Sequence, residues 1–219
     1  MQLTHLGHAC LLVETGDERI LLDPGNLAAG WESITGLSAV VVTHQHPDHL
    51  DQARVPALLA GNPRAQVFCD VESADILRRL GADPVVQEEG VSHTVGAVTV
   101  RGVGALHAVI YRELPRVTNV GVVISADGEP SLFHTGDAQD GDPGPVDIVS
   151  FALSAPWQAS KEMVDFLRRM DATVAVPVHD AVLSPSGREL YLTQAVNLGC
   201  QDRMRLLDLA GAGPTVVSA

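Results

Sequence analysis

Four residues that could hold metal ions follow directly after an apolar run of the chain. Residues 43–50, THQHPDHL, contain the pattern H-x-H-x-D-H, and the preceding run Ala39–Val42 predicts a strand that is buried on both faces. This pattern would arise by chance in on the order of one in a thousand chains of such composition. Imidazole nitrogens with a carboxylate form a ligand set that suits Zn²⁺, and also Fe²⁺ or Mn²⁺.

The spacing of these residues predicts how they could share two ions. In an extended segment, residues two apart point to the same side, so His44 and His46 could bind one ion together. Pro47 could begin a helix and turn the chain, which would direct Asp48 and His49 toward a second ion nearby. Each residue also has an ordinary interpretation, since a histidine near a strand end is often only hydrogen-bonded and Asp48 could cap the helix. The coincidence of four such residues in this spacing favours the metal interpretation.

Three further residues could complete the ligand sets, because this cluster alone cannot fill two coordination shells. His107, Asp137 and His179 each come just after a β-like run, where open sheets commonly have their functional sites. Asp137 is the natural bridge, because one carboxylate can hold two cations and reduce their mutual repulsion. The predicted metal ligands are therefore His44, His46, Asp48, His49, His107, Asp137 and His179.

The order of these residues resembles that of the metallo-β-lactamase-fold hydrolases, in which H-x-H-x-D-H is followed by a histidine, a bridging aspartate and a last histidine. Residues 6–10 (LGHAC) and 20–24 (ILLDP) are also similar to stand-alone metal-dependent hydrolases related to the ascorbate-phosphate lactonase group. The resemblance spans nearly the whole chain. It implies an α/β fold, a four-layer αββα sandwich of two mixed sheets with helices outside and the metals at one edge.

The resemblance also implies which residues share each ion. It assigns the first ion to His44, His46 and His107. It assigns the second ion to Asp48, His49 and His179, with Asp137 between the two ions. Because true β-lactamases usually lack the histidine found here at position 49, the full set is more similar to the binuclear hydrolases.

Short strands and helices must position these residues. Turn residues at 16–17 and 126–130 lie between β-like runs and predict two hairpins. Helices are predicted over residues 50–59, 73–80, 160–170 and 188–198. Pro56 implies a kink or a late start in the first helix, and Ser73 is a possible cap of the second. Strands in runs with helices between them fit two sheets packed face to face, although composition alone does not separate this from a doubly wound sheet. No linker divides the chain, so we expect one domain over residues 1–219.

The amino-acid composition restricts the classes of partner that the protein could bind. The 219 residues include 14 Lys and Arg against 27 Asp and Glu, which gives a formal net charge of −13. Such an acidic chain is poorly suited to nucleic acid or to an anionic membrane surface. Cys10, Cys69 and Cys200 are too few for a disulfide scaffold and fit a reducing cytosol. Since neither a signal peptide nor a membrane-spanning apolar run is recognisable, we expect a cytoplasmic protein with a small-molecule substrate.

The expected reaction is hydrolysis. A bound dication lowers the pKa of water toward about 7, so a metal-bridging hydroxide could attack an ester, lactone or phosphodiester bond, and an amide also fits. Asp48 could orient that hydroxide or move its proton, so Asp48 and Asp137 are the candidate catalytic residues. The expected cofactors are two divalent ions, Zn²⁺ first and Mn²⁺ or Fe²⁺ as alternatives. The rival hypotheses are a non-hydrolytic metal-binding protein, for instance a di-iron protein that handles oxygen, and a ligand-sensing module with the same fold.

Three polar residues near the predicted ligands keep two interpretations each. Asp23 could orient a ligand histidine, because such ligands usually bind a partner through their other ring nitrogen, or it could be a turn residue. His8 could approach the site or be an ordinary buried histidine. His134 is expected to be structural or to support a ligand.

Larger side chains could contact a substrate. Trp31 and Trp157 could form the walls of a pocket, although core packing is the favoured interpretation for both. Arg112 or Arg116 could bind an anionic group, although a solvated loop is favoured.

Overall fold

The computed structural model describes residues 1–218 and contains two seven-stranded sheets. The strands of the first sheet are β1 (Gln2–Gly7), β2 (Cys10–Thr15), β3 (Glu18–Leu22), β4 (Ala39–Val42), β5 (Gln66–Cys69), β6 (Val85–Val86) and β14 (Thr215–Val216). Those of the second sheet are β7 (Ser92–Val95), β8 (Val98–Val103), β9 (Gly121–Ala126), β10 (Leu132–His134), β11 (Ile148–Ala152), β12 (Val174–Val178) and β13 (Arg205–Leu206).

Both sheets are mixed, and their strand directions determine where the connecting loops meet. The spatial order is β14-β1-β2-β3-β4-β5-β6 in the first sheet and β13-β12-β11-β10-β9-β8-β7 in the second. Strands β1 and β3 are both antiparallel to β2, and β4 is parallel to β3, so these three run in one direction. In the second sheet β8 and β10 are both antiparallel to β9, and β11 and β12 are parallel to β10. Each sheet therefore has several strands whose carboxyl ends lie at one edge.

Helices cover the outer faces of the sheets. They are α1 (Val55–Gly61), α2 (Val71–Arg79), α3 (Ser160–Arg169) and α4 (Pro185–Gln194), with a short 3-10 helix at Trp31–Ser33 and a π-helical turn at Ala195–Cys200. Side chains of α1 and α2 pack on the first sheet, and those of α3 pack on the second.

Alternation along the strands separates the central core from the outer ones. In β4, Ala39 and Val41 belong to the core between the two sheets, whereas Val40 and Val42 pack toward α1 and α2. Successive strand residues point to opposite faces, so a strand buried on both sides reads as a continuous apolar run. The layers are helix, sheet, sheet and helix, which confirms the αββα sandwich predicted from the sequence.

Several element boundaries differ from the prediction. The first helix begins at Val55 rather than at residue 50, because the backbone N–H groups of His49 and Leu50 bind the carbonyl of His46 and form a separate turn. Pro56 lies in the first turn of the helix, which is the late start that it implied. The cap of α2 is Asp70 and not Ser73, so this helix begins earlier than predicted.

The last helix also begins earlier than predicted. It starts at Pro185, with the Ser184 hydroxyl accepting the backbone N–H of Gly187, rather than at residue 188. Among residues 1–218, we find no helix that is both long enough and apolar enough to cross a membrane.

Leu11→Ala tests the central core. Leu11 is fully buried between the sheets, and its truncation should lower the free energy of unfolding by about 2–5 kcal/mol, since a cavity remains after the methyl groups are lost. The measurement is urea denaturation followed by circular dichroism. Val216→Ala is the control, because this side chain is 76% exposed and its truncation should change stability by less than about 0.5 kcal/mol. Equal effects of the two variants would contradict the assigned core.

Candidate metal centre

Carboxyl ends of strands from both sheets meet at one place. The residues that follow these ends are His8 after β1, Asp23 after β3, His44 after β4, His107 after β8, Asp137 after β10 and His179 after β12. Because these strands run in the same direction within each sheet, residues from distant parts of the chain lie side by side. The segment that follows β4 adds the rest of the H-x-H-x-D-H pattern.

All seven residues predicted as ligands lie in two adjacent clusters. The first cluster contains His44, His46, His107 and Asp137. The second contains Asp48, His49 and His179, together with His8. Within each cluster one potential ligand atom from every residue lies within 4.8 Å of the others, so each group could hold one metal ion.

Asp137 lies between the two clusters. Its Oδ2 atom is 3.3 Å from His107 Nε2 in the first cluster. Its Oδ1 atom is 3.1 Å from His49 Nε2 and 3.3 Å from His179 Nε2 in the second. Each carboxylate oxygen therefore faces a different candidate site, which is the geometry that a bridging ligand requires.

Hydrogen bonds on the far ring nitrogens orient the histidines. His107 Nδ1 donates to the carbonyl of Ala108 at 2.7 Å, and His179 Nδ1 donates to the carbonyl of Ser154 at 2.8 Å. When these rings are neutral, the proton lies on Nδ1 and the lone pair of each Nε2 atom points toward the site. Such outer partners usually set the tautomer of histidines that bind metals.

Asp23 supports two more histidines from one buried carboxylate. Its Oδ2 atom accepts from His49 Nδ1 at 2.7 Å and from the Thr43 hydroxyl at 2.8 Å. The Thr43 oxygen can then accept the Nδ1 proton of His44, which is 3.1 Å away. His134 Nε2 also donates to Asp23, at 2.9 Å. These contacts match the orienting interpretation of Asp23 and the supporting interpretation of His134.

Four buried polar atoms at the centre have no hydrogen-bond partner. They are the Nε2 atoms of His49, His107 and His179 and the Oδ1 atom of Asp137. Buried polar atoms are almost always paired, and an unpaired one costs about 1–3 kcal/mol. Imidazole nitrogens and carboxylate oxygens converging in this way have the chemistry of a divalent metal site. The residues present therefore fit the ions that the sequence implies.

Charges across the site shift several pKa values. Burial, the largest single effect, would raise the pKa of Asp137, but the surrounding histidines hold it well below its ordinary value. Burial would likewise lower the pKa of His49, yet Asp137 and Asp23 raise it well above its ordinary value. Burial would also lower the pKa of His179, but the neighbouring carboxylates of Asp137 and Asp48 raise it to about 9. Without metal, protons on these histidines supply the positive charge that the carboxylates require.

His8 serves the site as a hydrogen-bond donor. Its Nδ1 atom accepts the backbone N–H of Ala181 at 3.3 Å, so the ring proton is on Nε2, which donates to Asp48 Oδ2 at 3.1 Å. The ring is buried and lies 3.9 Å from the His179 ring, centroid to centroid. His8 is thus both a buried histidine and a contact of the predicted ligand Asp48.

Backbone strain is concentrated at this edge. Left-handed φ values occur at His8 (49°), Asp23 (44°) and His179 (59°), although such angles favour glycine. Each costs on the order of 1–3 kcal/mol and persists only where the surrounding contacts impose it. The tertiary structure therefore holds these three side chains in place against their local preferences.

The two tryptophans have different surroundings. Trp31 is fully buried and donates to the carbonyl of Gly25, in line with the core interpretation. Trp157 is half-buried, and its Nε1–H donates to Asp137 Oδ2 at 2.8 Å. This bond could not be predicted from the sequence, because positions 137 and 157 lie in separate loops.

Asn119 is a supporting residue that the sequence analysis missed. Its Oδ1 atom accepts the backbone N–H of Asp137 at 2.9 Å, and its amide donates to the carbonyl of Thr135 at 3.1 Å. A single asparagine outside any motif offers no signal in the sequence. Thr43, directly before His44, could have been found from its position in the motif.

Comparison with known proteins agrees with this geometry. Residues 2–179 match the family model described as beta-lactamase superfamily domain. The chain belongs to the beta-lactamase superfamily. This membership confirms the resemblance seen in the sequence, and together with the two clusters it supports a metal-dependent hydrolase.

Proteins similar to the chain come from several organisms. Protein Rv0786c of Mycobacterium tuberculosis is 40% identical over 203 residues, which cover 92% of this chain and 94% of that protein. A UPF0173 metal-dependent hydrolase of Desulfitobacterium hafniense is 34% identical over 149 residues, which cover 63% of this chain and 61% of that protein. Among solved structures, an isothiocyanate hydrolase from Delia radicum gut bacteria has a TM-score of 0.71 at 18% identity and covers all of both chains. The last comparison shows the shared fold.

Gly25→Ala should disturb the site through its backbone. A Cβ atom at position 25 would lie 1.7 Å from the carbonyl oxygen of Asp48 and 2.6 Å from the nitrogen of His49, so this segment must move. We expect a loss of about 1–3 kcal/mol in the free energy of unfolding, measured by urea denaturation. Gly61→Ala is the matched control, because its new methyl group would meet only Thr35, at 4.0 Å. A Gly25 variant as stable as the Gly61 variant would contradict this close approach.

Proposed function

We propose that the protein is a binuclear metal-dependent hydrolase that cleaves an ester, lactone or phosphodiester bond of a small molecule. The observation that carries this proposal is the pair of clusters that share Asp137, with four buried atoms that lack partners. If these side chains had only a structural role, their buried nitrogen and oxygen atoms would be paired in hydrogen bonds. A hydrolase name among the relatives and a hydrolase among the structural neighbours support the same class of reaction.

In this proposal each cluster holds one ion. The first ion would bind His44, His46 and His107. The second would bind Asp48, His49 and His179, and Asp137 would contact both. Zn²⁺ is the proposed metal, because imidazole with carboxylate suits it, and Mn²⁺ or Fe²⁺ would serve as alternatives.

Divalent ions at such a site supply hydroxide at neutral pH and polarise the substrate's carbonyl or phosphoryl oxygen. The protein's own residues hold and move protons. Asp48 is half-buried, and burial would raise its pKa, but the neighbouring His179 ring and the hydrogen bond from His8 hold that pKa below its ordinary value. It is therefore ionised at neutral pH and could accept a proton from the attacking water. His8 would keep that carboxylate in position through its Nε2–H.

The proposed setting is the reducing cytosol. Cys10, Cys69 and Cys200 are all buried free thiols, and burial raises the pKa of each of them. Thiols in this state are stable where disulfides are kept reduced. A small-molecule substrate, rather than nucleic acid, remains the proposed partner of this acidic chain.

His46→Ala should abolish both metal binding at the first site and turnover. His46 lies in the first cluster, so its loss removes a nitrogen ligand. The measurements are zinc content by mass spectrometry and hydrolysis of a panel of chromogenic esters, lactones and phosphodiesters. His93→Ala is the control, because His93 lies in β7, outside both clusters, and should retain metal and activity. Full zinc content in the His46 variant would contradict the assignment, and metal binding by the wild type without turnover of any substrate would favour a metal-binding or sensing role.

Asp137→Asn should lower the occupancy of both sites together. One oxygen of Asp137 faces each cluster, so replacing the carboxylate by a neutral amide should weaken the binding of both ions. The repulsion between the two ions would also be less compensated. Isothermal titration with Zn²⁺ should show two weakened binding events, each by about 10-fold or more. Loss of a single ion with normal binding of the other would mean that the carboxylate does not bridge.

Zinc affinity should rise with pH up to about 9. Because the pKa of His179 is about 9 without metal, this histidine holds a proton at pH 7 that Zn²⁺ must displace. Its proton stabilises the metal-free chain fully below the ordinary pKa of histidine, and that stabilisation is lost as pH rises through about 9. The affinity should therefore increase about tenfold per pH unit for each displaced proton and level off above pH 9. Competition titrations with a chelator between pH 6.5 and 9.5 check this, and a flat profile would contradict it.

A further inference from the structure

A cleft of about 310 Å³ lies beside the candidate metal centre. Ala108, the residue after His107, forms part of its wall together with Val109 and Trp157. The indole of Trp157 donates to Asp137 and lies edge-on to the His107 ring, with the centroids 6.0 Å apart. A molecule with its reacting bond at the metals could therefore place a substituent in this cleft.

Two hydrogen-bond donors that line the cleft already have partners within the protein. Trp157 Nε1–H is bound to Asp137 Oδ2 at 2.8 Å. Arg116 donates through Nε to the carbonyl of His107 at 2.6 Å, and its Nη2 atom is 3.8 Å from Asp140 Oδ2. Arg116 thus helps to hold the loop in place, and its positive charge lies beside the carboxylate of Asp140.

The remaining polar groups of the wall would repel an anion. Gln139 donates its amide to the carbonyl of Ala152 at 3.1 Å. Asp140 and Glu162 are carboxylates, and the Asp140 side chain is 73% exposed. Among the described residues that line the cleft, Arg116 is the one cation, and its charge faces Asp140. Because the two carboxylates outnumber this cation, an anionic group would meet a net negative charge in the cleft while losing its water.

Apolar side chains also border the cleft. Val109, Tyr111 and Leu114, in the loop between β8 and β9, are each more than half exposed. Val109 and Trp157 line the cleft itself. Clusters of exposed apolar side chains beside a site usually mark the place where an apolar ligand binds.

We propose that the substrate is an electrically neutral ester or lactone whose apolar substituent lies against Val109 and the Trp157 ring, and that the cleft disfavours phosphodiesters. This inference rests on the proposed hydrolase function and narrows its substrate class. The net negative charge of the wall selects against the anion, and the exposed apolar side chains favour the apolar group.

Binding to the metal-free protein tests the cleft without any contribution from the ions. The probes are N-phenylhexanamide, which is neutral, and diphenyl phosphate, which is anionic and carries the same ring. The readout is tryptophan fluorescence, because Trp31 is fully buried and a change reports Trp157. The amide should bind at least 10-fold more tightly than the phosphate. Equal binding, or tighter binding of the phosphate, would overturn the inference.

Val109→Lys tests the same wall of the cleft by adding a second positive charge to it. It should weaken binding of the amide and strengthen binding of diphenyl phosphate, each by several-fold. Val216→Lys is the matched control, because it adds the same charge on β14, which pairs with the first residues of β1, whereas the site lies beyond the last residue of β1. Identical changes in both variants, or no change in either, would contradict the assigned wall.

Turnover by the zinc-loaded enzyme separates this inference from the proposed function. In the series p-nitrophenyl acetate, butyrate and hexanoate, each ester is two methylene groups longer than the one before. We expect kcat/KM to rise by at least about threefold at each step, because more apolar surface is buried. The rise should be smaller in Val109→Lys and unchanged in Val216→Lys. Turnover of bis(p-nitrophenyl) phosphate with no dependence on ester chain length would overturn the substrate class but leave the hydrolase intact. Failure of the wild type to bind zinc would remove the proposed function itself.

Discussion

The buried carboxylate of Asp137 is the constraint on which the site depends. It lies between two groups of histidines, and one of its oxygens has no hydrogen-bond partner. Burying an ionised carboxylate costs several kcal/mol unless positive charge compensates it. In the metal-free chain the raised pKa values of His49 and His179 supply that charge as protons. Divalent ions would supply it more completely, which is why protons and metal compete for the same atoms.

Hydrogen bonds around the site orient the histidine rings. Asp23 accepts hydrogen bonds from Thr43, His49 and His134, so one carboxylate orients side chains from the ends of two other strands, β4 and β10. The bond from His49 places a proton on its Nδ1 atom and directs its Nε2 atom toward the site. The left-handed backbone of Asp23 shows that this arrangement is maintained at a cost, which the rest of the sandwich must offset.

The two sides of the site have different chemistry. On one side, His8 and Asp48 form a polar pair that is suited to holding and moving a proton. On the other side, Trp157 joins the metal centre to a cleft whose walls are apolar or negatively charged. In the proposed function, the loops that carry out the reaction therefore differ from the loops that select the substrate. This division would allow the cleft to change while the ligand set stays the same.

The candidate ligands of the H-x-H-x-D-H segment could be predicted from a local pattern, and the layered fold could be predicted from the resemblance that the whole candidate set carries. The H-x-H-x-D-H segment, the continuous apolar run before it and the hairpin turns each lie within a few neighbouring residues. The helix caps were less certain, since Asp70 and Ser73 are both good capping residues and only the backbone conformation chooses between them. The same holds for the start of the first helix, where a turn after His46 competes with the helical pattern.

Contacts between distant positions were decided only by the tertiary structure. Asp23 and His134 are 111 positions apart, and His8 and Asp48 are 40 apart, yet each pair is hydrogen-bonded. The bond from Trp157 to Asp137 and the bond from Arg116 to the carbonyl of His107 likewise depend on how the loops pack. Such bonds depend on which strand ends meet at the shared edge and on how the loops then pack. Residue types and spacing therefore determined what the chain could bind, and the packing of the two sheets decided which side chains support that site and which surface faces a substrate.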